Sequence, residues 1–221
     1  MRRDKENKTG TSLSSKEAVL RAAIQLFNRS GVDGTSVRAI AREAGVNQAL
    51  ISYYFGGKQG LLEELMAWFL ENYLNQLELA VNDAFAGNGS ANERLLAVAE
   101  HLLIFQQANF YLARFVHREM TLDSQLVREL MATYLMKEKY LFHRLIHENF
   151  PDLAEDQLLE ELTVLQFRDL IQMPFLQPQY LREVYYFQPS EASFRTAYLR
   201  GVKRWVQQLT GACPPAASAI R

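Results

Sequence analysis

The chain has 221 residues, of which 48% are hydrophobic and 22% charged, with 11 Gly and 6 Pro. This composition suits one or two globular domains with a sizeable core, and it excludes collagen-like, disordered and disulfide-rich classes. Cys213 is the single cysteine and cannot form an internal disulfide. No apolar run reaches the roughly 20 residues of a membrane helix. The charged first residues lead into no signal-peptide core, so we expect a cytoplasmic protein.

The formal net charge of −1 conceals an uneven distribution. Residues 1–58 hold ten Lys and Arg against five Asp and Glu, whereas the remainder holds fourteen against twenty. A basic amino-terminal module on an acidic remainder favours contact with a polyanion such as nucleic acid. The alternative is a basic tail, because four of the ten positive charges lie at the very start: Arg2, Arg3, Lys5 and Lys8.

Three short helices are predicted over the first part of the chain. Ser14 and Glu17 have the spacing of a capping box, and Gly31 ends the helical pattern behind them. Ser36 then provides a second cap, with a stop at Gly45. A third helix follows Asn47 and ends before two glycines.

Helical periodicity continues to about residue 209, without strand-type alternation of useful length. A long helix is predicted from Lys58 to about Phe85, followed by helices over about 91–108, 110–118, 124–149 and 154–173. A loop with Pro174, Pro178 and Pro189 follows, with a short helix around 180–186 and a last helix over about 190–209. The fold class is therefore all-α, with about nine or ten helices.

The stretch from Thr35 to Phe55 has the pattern of a helix-turn-helix. Two short helices meet at a turn that contains Gly45, and in such motifs the second helix reads base edges in the DNA major groove. An ordinary helical hairpin is the alternative, but no acidic residue occurs between Gly45 and Lys58. Val46, Ile51 and Phe55 can pack inward. The outward face then holds short, amide or hydroxyl-bearing side chains: Asn47, Gln48, Ala49, Ser52 and Tyr53.

The sequence from Thr35 to Val46, the segment Ile51-Ser52-Tyr53-Tyr54-Phe55, and Lys58 with Leu61-Leu62 together resemble the signature of the TetR family of bacterial DNA-binding regulators. The resemblance implies a three-helix DNA-binding domain on a larger helical domain that dimerises and often holds a ligand. The implied organisation is a flexible basic tail at 1–14, the helix-turn-helix domain at 15–57, a regulatory and dimerisation domain at 58–210, and a flexible tail at 211–221.

The same resemblance implies the DNA-contacting positions. Gln48, Ala49 and Ser52 occupy base-reading positions, and Tyr53 and Tyr54 positions that usually touch phosphates. The family usually has Tyr at the position of Ser52, and an acidic residue at Gln59-Gly60. The predicted DNA-binding set is Thr35, Ser36, Arg38, Asn47, Gln48, Ala49, Ser52, Tyr53, Tyr54 and Lys58.

A palindromic operator requires a two-fold symmetric reader, and two apolar stripes could form a homodimer interface. Gly201 would permit close approach of two helices. The alternative is that both stripes face only their own core. The predicted interface residues are Leu158, Leu162, Leu165, Phe194, Tyr198, Gly201, Val202, Trp205 and Leu209.

Aromatic residues in the middle of the chain could line a pocket for a small-molecule effector, or simply form core. The candidate pocket residues are Phe105, Phe110, Tyr111, Phe115 and Tyr134. His143 and His147 have a metal-compatible spacing but no evident third ligand. We predict no catalytic residues, metal or cofactor, and hence no enzyme.

The sequence therefore predicts a TetR-type repressor that binds DNA as a homodimer. An alternative is carried by Val46-Asn47, the segment 51–55 and the segment 178–184, which together resemble the RefZ subgroup, known from Bacillus. That subgroup implies a chromosome-site-binding regulator of cell division during sporulation, contacting a cell-division protein. The predicted partner surface lies around Arg114, His117, Arg118 and Glu119.

Overall fold

A computed structural model describes residues 14–211 of the chain. The tails predicted for 1–14 and 211–221, with Cys213, lie outside the described residues except for Ser14 and Gly211. Within this range the fold is all-α, as predicted, and no strand occurs. The helices are α1 (Ser15–Ser30), α2 (Val37–Ala44), α3 (Gln48–Phe55), α4 (Lys58–Ala86), α5 (Ala91–Ala108), α6 (Phe110–Glu119), α7 (Gln125–Leu130), α8 (Met136–Asn149), α9 (Gln157–Leu176), α10 (Pro178–Tyr185) and α11 (Ala192–Gly211).

Two short segments of other helical geometry interrupt this series. A π-helical turn, Met131–Leu135, joins α7 to α8 without a break, and a 3₁₀ turn covers Pro151–Glu155. The helix predicted over 124–149 is thus continuous but widened in its middle. No helix within residues 14–211 has both the length and the hydropathy that crossing a bilayer demands.

The first structural unit ends at Leu65 and contains α1, α2, α3 and the start of α4. Ser14 caps α1 as predicted: its hydroxyl accepts from the Glu17 N–H, and the Glu17 carboxylate accepts from the Ser14 N–H. This backbone hydrogen bond lowers the pKa of Glu17. The core of the unit is formed by aliphatic and aromatic side chains from all four helices, among them Val19, Ala23, Phe27, Ile40, Ile51, Phe55 and Leu61.

The division between units falls inside α4 rather than at its start, where the sequence placed the domain boundary. Two side chains near the beginning of α4 bond within the first unit. Lys58 reaches the Val32 carbonyl after α1, and Glu64 pairs with Lys16 on α1. The opening turns of α4 therefore belong to the first unit.

The second unit runs from Met66 and is built on helix pairs. α5 packs against α11, α8 against α9, and α6 against α9. Fully buried Val98 and Leu102 on α5, and Val206 on α11, belong to its core. This unit holds a cavity of about 210 Å³ and the exposed apolar face of α9.

The predicted end of α9 near residue 173 was wrong. Pro174 lies inside α9, which continues to Leu176. A proline in a helix deprives the carbonyl four residues earlier of its donor. Here that carbonyl belongs to Leu170, and the Tyr198 hydroxyl of α11 supplies the missing donor.

Candidate nucleic-acid interface

The turn between α2 and α3 has well-defined caps on both sides. The Ser36 hydroxyl accepts from the Ala39 N–H at 3.1 Å and begins α2. At the other end Gly45 has φ 66° and ψ 30°, a left-handed conformation that glycine adopts without strain. The Val46 N–H returns to the Ala41 carbonyl at 3.0 Å, as in a Schellman motif. Local chemistry thus directs the chain from α2 into α3.

The helix α3 has one buried face and one exposed face. Ile51 and Phe55 are buried in the first unit, and Val46 just before the helix is half-buried. This is the inward packing expected from the sequence. Six predicted DNA-contacting residues lie exposed on or beside the other face: Asn47, Gln48, Ala49, Ser52, Tyr53 and Tyr54.

Asn47 has a structural task as well as an exposed position. Its Oδ1 accepts from the Ala49 N–H at 2.9 Å, which makes it the amino-terminal cap of α3. Replacing Asn47 would therefore fray the first turn of the helix, which carries Gln48 and Ala49.

The two tyrosines of α3 differ in availability. Tyr53 is 80% exposed, whereas Tyr54 is 37% exposed. The Tyr54 ring meets both neighbouring rings edge-on, with centroids 5.2 Å from Tyr53 and 6.1 Å from Phe55. Tyr54 is thus held by its neighbours, while Tyr53 projects further.

The helix-turn-helix carries more positive than negative charge, and α3 itself carries none. Arg38 and Arg42 are exposed on α2, and Glu43 is the acidic residue of the two helices. No acidic residue lies between Gly45 and Lys58. A polyanion can approach α3 without meeting a carboxylate of that helix.

The prediction that Thr35 contacts DNA needs correcting, because its side chain does not face outward. It is 3% exposed, its hydroxyl donates to the Gly31 carbonyl at 2.7 Å, and its N–H donates to the Val32 carbonyl at 3.2 Å. Both donors are engaged in holding the α1–α2 connection. The neighbouring Ser36 and Arg38 are exposed.

Lys58 has a partner that the sequence did not reveal. Its Nζ donates to the Val32 carbonyl at 2.9 Å and the side chain is half-buried. An ammonium group has three donors, so this bond leaves others for a phosphate. A separation of 26 residues carries no local sequence signal for such a contact.

The five aromatic residues proposed for a ligand pocket do not gather around one cavity. Phe115 is buried, Tyr111 is exposed, and the Tyr134 hydroxyl donates to Glu71 at 2.9 Å. Phe105 packs on other rings, and Phe110 lies with Tyr111 along a cleft of about 170 Å³. None of the five lines a partly open cavity of about 210 Å³ in the same unit.

The two stripes proposed for the dimer interface differ in exposure. On α9, Leu158, Leu162 and Leu165 are exposed, as are Met173 and Leu176 further along the same helix, which the sequence reasoning missed. The exposed leucines are spaced by four and three residues, so they share one helix face.

The predicted dimer interface on α11 needs correcting, because much of this stripe packs into the core of the second unit. Phe194 and Val202 are buried, Tyr198 bonds to the Leu170 carbonyl, and Trp205 stacks on Phe167 at 5.9 Å. Leu209 is half-buried, and Gly201 is exposed with open space at its Cβ position. Packing on α5 and α9 occupies the large apolar side chains.

The remaining charged clusters form internal pairs. His147 Nδ1 lies 2.8 Å and His143 Nε2 3.3 Å from the carboxylate of buried Glu160.

The partner surface predicted around Arg114, His117, Arg118 and Glu119 is wrong at two positions. Glu119 is buried and pairs with Arg118, and His117 Nε2 is 2.6 Å from Gln106 Oε1.

The exposed face of α3, presented by a helix-turn-helix in an all-α chain, defines a DNA-binding regulator. Residues 19–65 match the family model described as bacterial regulatory proteins, tetR family. The probable HTH-type transcriptional regulator YttP of Bacillus subtilis strain 168 is 44% identical over 197 residues, covering 89% of this chain and 94% of that protein. The chain belongs to the TetR family of transcriptional regulators, as the sequence resemblance indicated, and this is a family of regulators and not of enzymes.

Solved structures agree on the fold. The TetR-family regulator PfmR of Thermus thermophilus superposes with a TM-score of 0.67 at 15% identity, covering 85% of this chain and 96% of that one. FadR of Bacillus subtilis, solved in complex with stearoyl-CoA, gives 0.61 at 18% identity, covering 84% and 96%.

Proposed function

We propose that this regulator is a repressor that binds a palindromic operator as a homodimer and excludes polymerase from the promoter. It would act in the cytoplasm, on the nucleoid. The observation that supports this best is the face of α3, whose exposed side chains are amide, hydroxyl, methyl and phenol groups without a carboxylate. These groups match the donor and acceptor pattern and the methyl groups of the major groove.

The contacts divide into base reading and phosphate binding. Gln48 and Ser52 are suited to base edges, because an amide or hydroxyl can both donate and accept, and Ala49 is suited to a thymine methyl. Arg38 and Tyr53 are suited to phosphates, which position the helix without reading sequence. Ser36, Tyr54 and Lys58 join the phosphate-binding set, and Asn47 orients the first turn of α3.

The dimer would form through the exposed face of α9 and the small residues of α11. Leu158, at 69% exposure, and Leu162 and Leu165 give an apolar face that a monomer would leave in water. Ala197 and Gly201, four residues apart and exposed on α11, allow close approach of a second helix. Two α3 helices would then read half-sites about 34 Å apart or a multiple of it.

A small-molecule effector would act through the second unit. The FadR structure is a complex with stearoyl-CoA. The second unit of this chain contains a partly open cavity of about 210 Å³. We place the effector there rather than among the five aromatic residues predicted from the sequence.

Genome-wide mapping of the purified protein on its own DNA tests the proposal, at near-physiological salt and with unrelated DNA as competitor. Enrichment of palindromes in one or a few promoters would support a local repressor. Palindromes spread along the chromosome away from promoters would instead favour the alternative of a cell-division regulator in sporulation with a protein partner. Absence of enrichment would contradict sequence-specific binding.

A further inference from the structure

The cavity in the second unit has an apolar body. Its walls come from α4, α6, the π-helical turn, α8 and α9. A volume of about 210 Å³ exceeds that of the roughly 150 Å³ engineered cavities that take up benzene. The apolar part of the lining includes Phe69, Leu70, Val116, Met120, Leu135 and Leu176.

One end of the cavity is polar, but its charges neutralise each other. Arg168 Nε donates to Glu138 Oε2 at 2.9 Å, and Gln172 Nε2 donates to Glu138 Oε1 at 2.7 Å. Both oxygens of buried Glu138 are therefore engaged. An anion entering here would meet Glu138 beside Arg168, and a cation would meet Arg168 beside Glu138. Neither ion would find an unpaired opposite charge here to replace the hydration that it loses on entering the cavity.

His117 adds a hydrogen-bonding group without a charge. Gln106 Nε2 donates to the Ile171 carbonyl at 3.1 Å, which directs Gln106 Oε1 to His117 Nε2 at 2.6 Å. His117 must then carry its hydrogen on Nε2, which leaves Nδ1 as an acceptor. Burial, with a smaller contribution from Arg168, lowers the pKa of His117 to about 3, so the ring is neutral at physiological pH.

Tyr73 completes the polar end. The residue lines the cavity, and its enclosed hydroxyl makes no well-formed hydrogen bond. Burial raises the pKa of Tyr73 well above its usual value, and nearby Glu138 adds to this. The group is thus a neutral, buried hydroxyl whose hydrogen-bonding capacity is not fully used, which is costly unless something binds it.

We propose that this cavity binds a neutral, mostly apolar small molecule of about ten non-hydrogen atoms with one hydrogen-bonding polar group. The polar group faces Tyr73, His117 and Gln172, and the apolar body lies against Phe69, Val116 and Met120. The inference rests on the proposed function in naming this molecule class as the effector. It excludes large charged acyl carriers as occupants of this cavity.

A set of four probes of matched shape tests the proposal on the full chain. Benzamide is neutral with a polar group, benzoate is an anion, benzylammonium is a cation, and toluene lacks the polar group. Titration calorimetry without DNA should show benzamide binding at least tenfold more tightly than each of the other three. Equal or tighter binding of benzoate or benzylammonium, or no binding of benzamide, would overturn the proposal.

Variants locate the binding in the cavity. Met120→Trp fills the space and should abolish benzamide binding, whereas Leu122→Trp adds the same side chain at an exposed position outside the lining and should leave binding unchanged. Tyr73→Phe removes one hydroxyl and should weaken benzamide about tenfold without changing toluene. Thermal melts establish that each variant folds. Benzamide bound equally by Met120→Trp would place it elsewhere and overturn the assignment.

The two proposals fail separately. Ligand titration needs no DNA, so a chain that binds benzamide but enriches no operator would disprove the repressor alone. A chain that binds its operator but no benzamide would disprove the ligand class alone. When both bind, benzamide added to the operator complex should change its dissociation constant in wild type and in Leu122→Trp but not in Met120→Trp.

Discussion

The hydroxyl of Tyr198 on α11 donates to the carbonyl of Leu170 on α9 at 2.7 Å. Pro174 has no N–H, so it cannot make the α-helical bond to this carbonyl. A side chain from another helix thus completes the backbone of α9 and ties α11 to it. Burial raises the pKa of Tyr198 to about 12, so the donor keeps its proton throughout the neutral range.

Tyr198→Phe should lower the free energy of unfolding by about 1–3 kcal/mol, because it leaves the Leu170 carbonyl without a donor. In a Pro174→Ala background the restored N–H at position 174 can bond to that carbonyl, and the loss should shrink by half or more. Urea unfolding of the four proteins of this double-mutant cycle measures the coupling. Strictly additive effects would show that the two residues do not share the carbonyl.

Base reading and phosphate binding should separate in DNA-binding assays. Gln48→Ala should cost about 1–3 kcal/mol on the mapped operator and relax the preference at the base it contacts. Arg38→Ala should weaken binding to all sequences alike. It should also reduce the salt slope, which is the steepness with which log K falls with log salt concentration, by about one. Fluorescence anisotropy at several salt concentrations, on operator and single-base variants, measures both.

Arg128→Ala is the control for Arg38→Ala, because it removes the same charge from an exposed side chain in the second unit. It should leave the salt slope unchanged. If Gln48→Ala and Arg38→Ala weaken all sequences equally, the proposed division between the two contacts is incorrect.

Lys58→Met should destabilise the first unit even without DNA. The bond from Lys58 Nζ to the Val32 carbonyl involves a half-buried charge, and such hydrogen bonds contribute about 1.5–3 kcal/mol. Hydrogen exchange of the α1–α3 amides should report this loss. Lys16→Met is matched to it: its ion pair with Glu64 is exposed on both sides, so its loss should cost less than about 1 kcal/mol. Equal losses of stability in the two variants would mean that the Val32 contact stabilises the unit no more than an exposed ion pair does.

Most of the fold could be predicted from local sequence signals. The features that could not be predicted depend on contacts between residues that are far apart in the sequence. The caps at Ser14, Ser36 and Asn47 act within three residues, so the helix starts were readable from the sequence. The continuation of α9 past Pro174 depends on Tyr198, 24 positions later, and no local pattern contains that information.

The candidate site shows the same limit. The exposed and buried faces of α3 follow from helical periodicity, which the sequence displays directly. An apolar stripe, however, does not indicate which surface covers it. The same pattern therefore predicts Phe194 on α11 at a dimer interface, whereas the residue is buried in its own unit. Thr35 likewise had a suitable hydroxyl for phosphate, but only the folded turn shows that Gly31 accepts from it.

Acid should destabilise the protein through His117. The unfolded chain binds a proton on this residue near its ordinary pKa of 6.5, whereas the folded chain does so only near 3. Stability from the neutral ring is therefore complete above pH 6.5 and is lost as the pH falls toward 3. Lowering the pH from 7 to 5 should therefore reduce the free energy of unfolding by about 2 kcal/mol through this residue.

His117→Gln removes the titrating group while keeping a polar side chain near Gln106. Urea unfolding at pH 7 and pH 5 should show a smaller loss in this variant than in wild type, although its stability at pH 7 is expected to be lower. A pH dependence identical to that of wild type would mean that His117 protonates as readily in the folded chain as in the unfolded one.

The exposed leucines of α9 should hold the dimer together. Leu162→Glu places a charge in the middle of the face formed with Leu158 and Leu165, and burying an unpaired carboxylate is costly enough to prevent association. Sedimentation should then show a monomer, and operator affinity should fall by about 10²-fold or more because bivalent binding is lost. Leu79→Glu makes the same change at an exposed leucine of α4 and should leave both unchanged. A Leu162→Glu protein that remains dimeric would exclude this face of α9 from the interface.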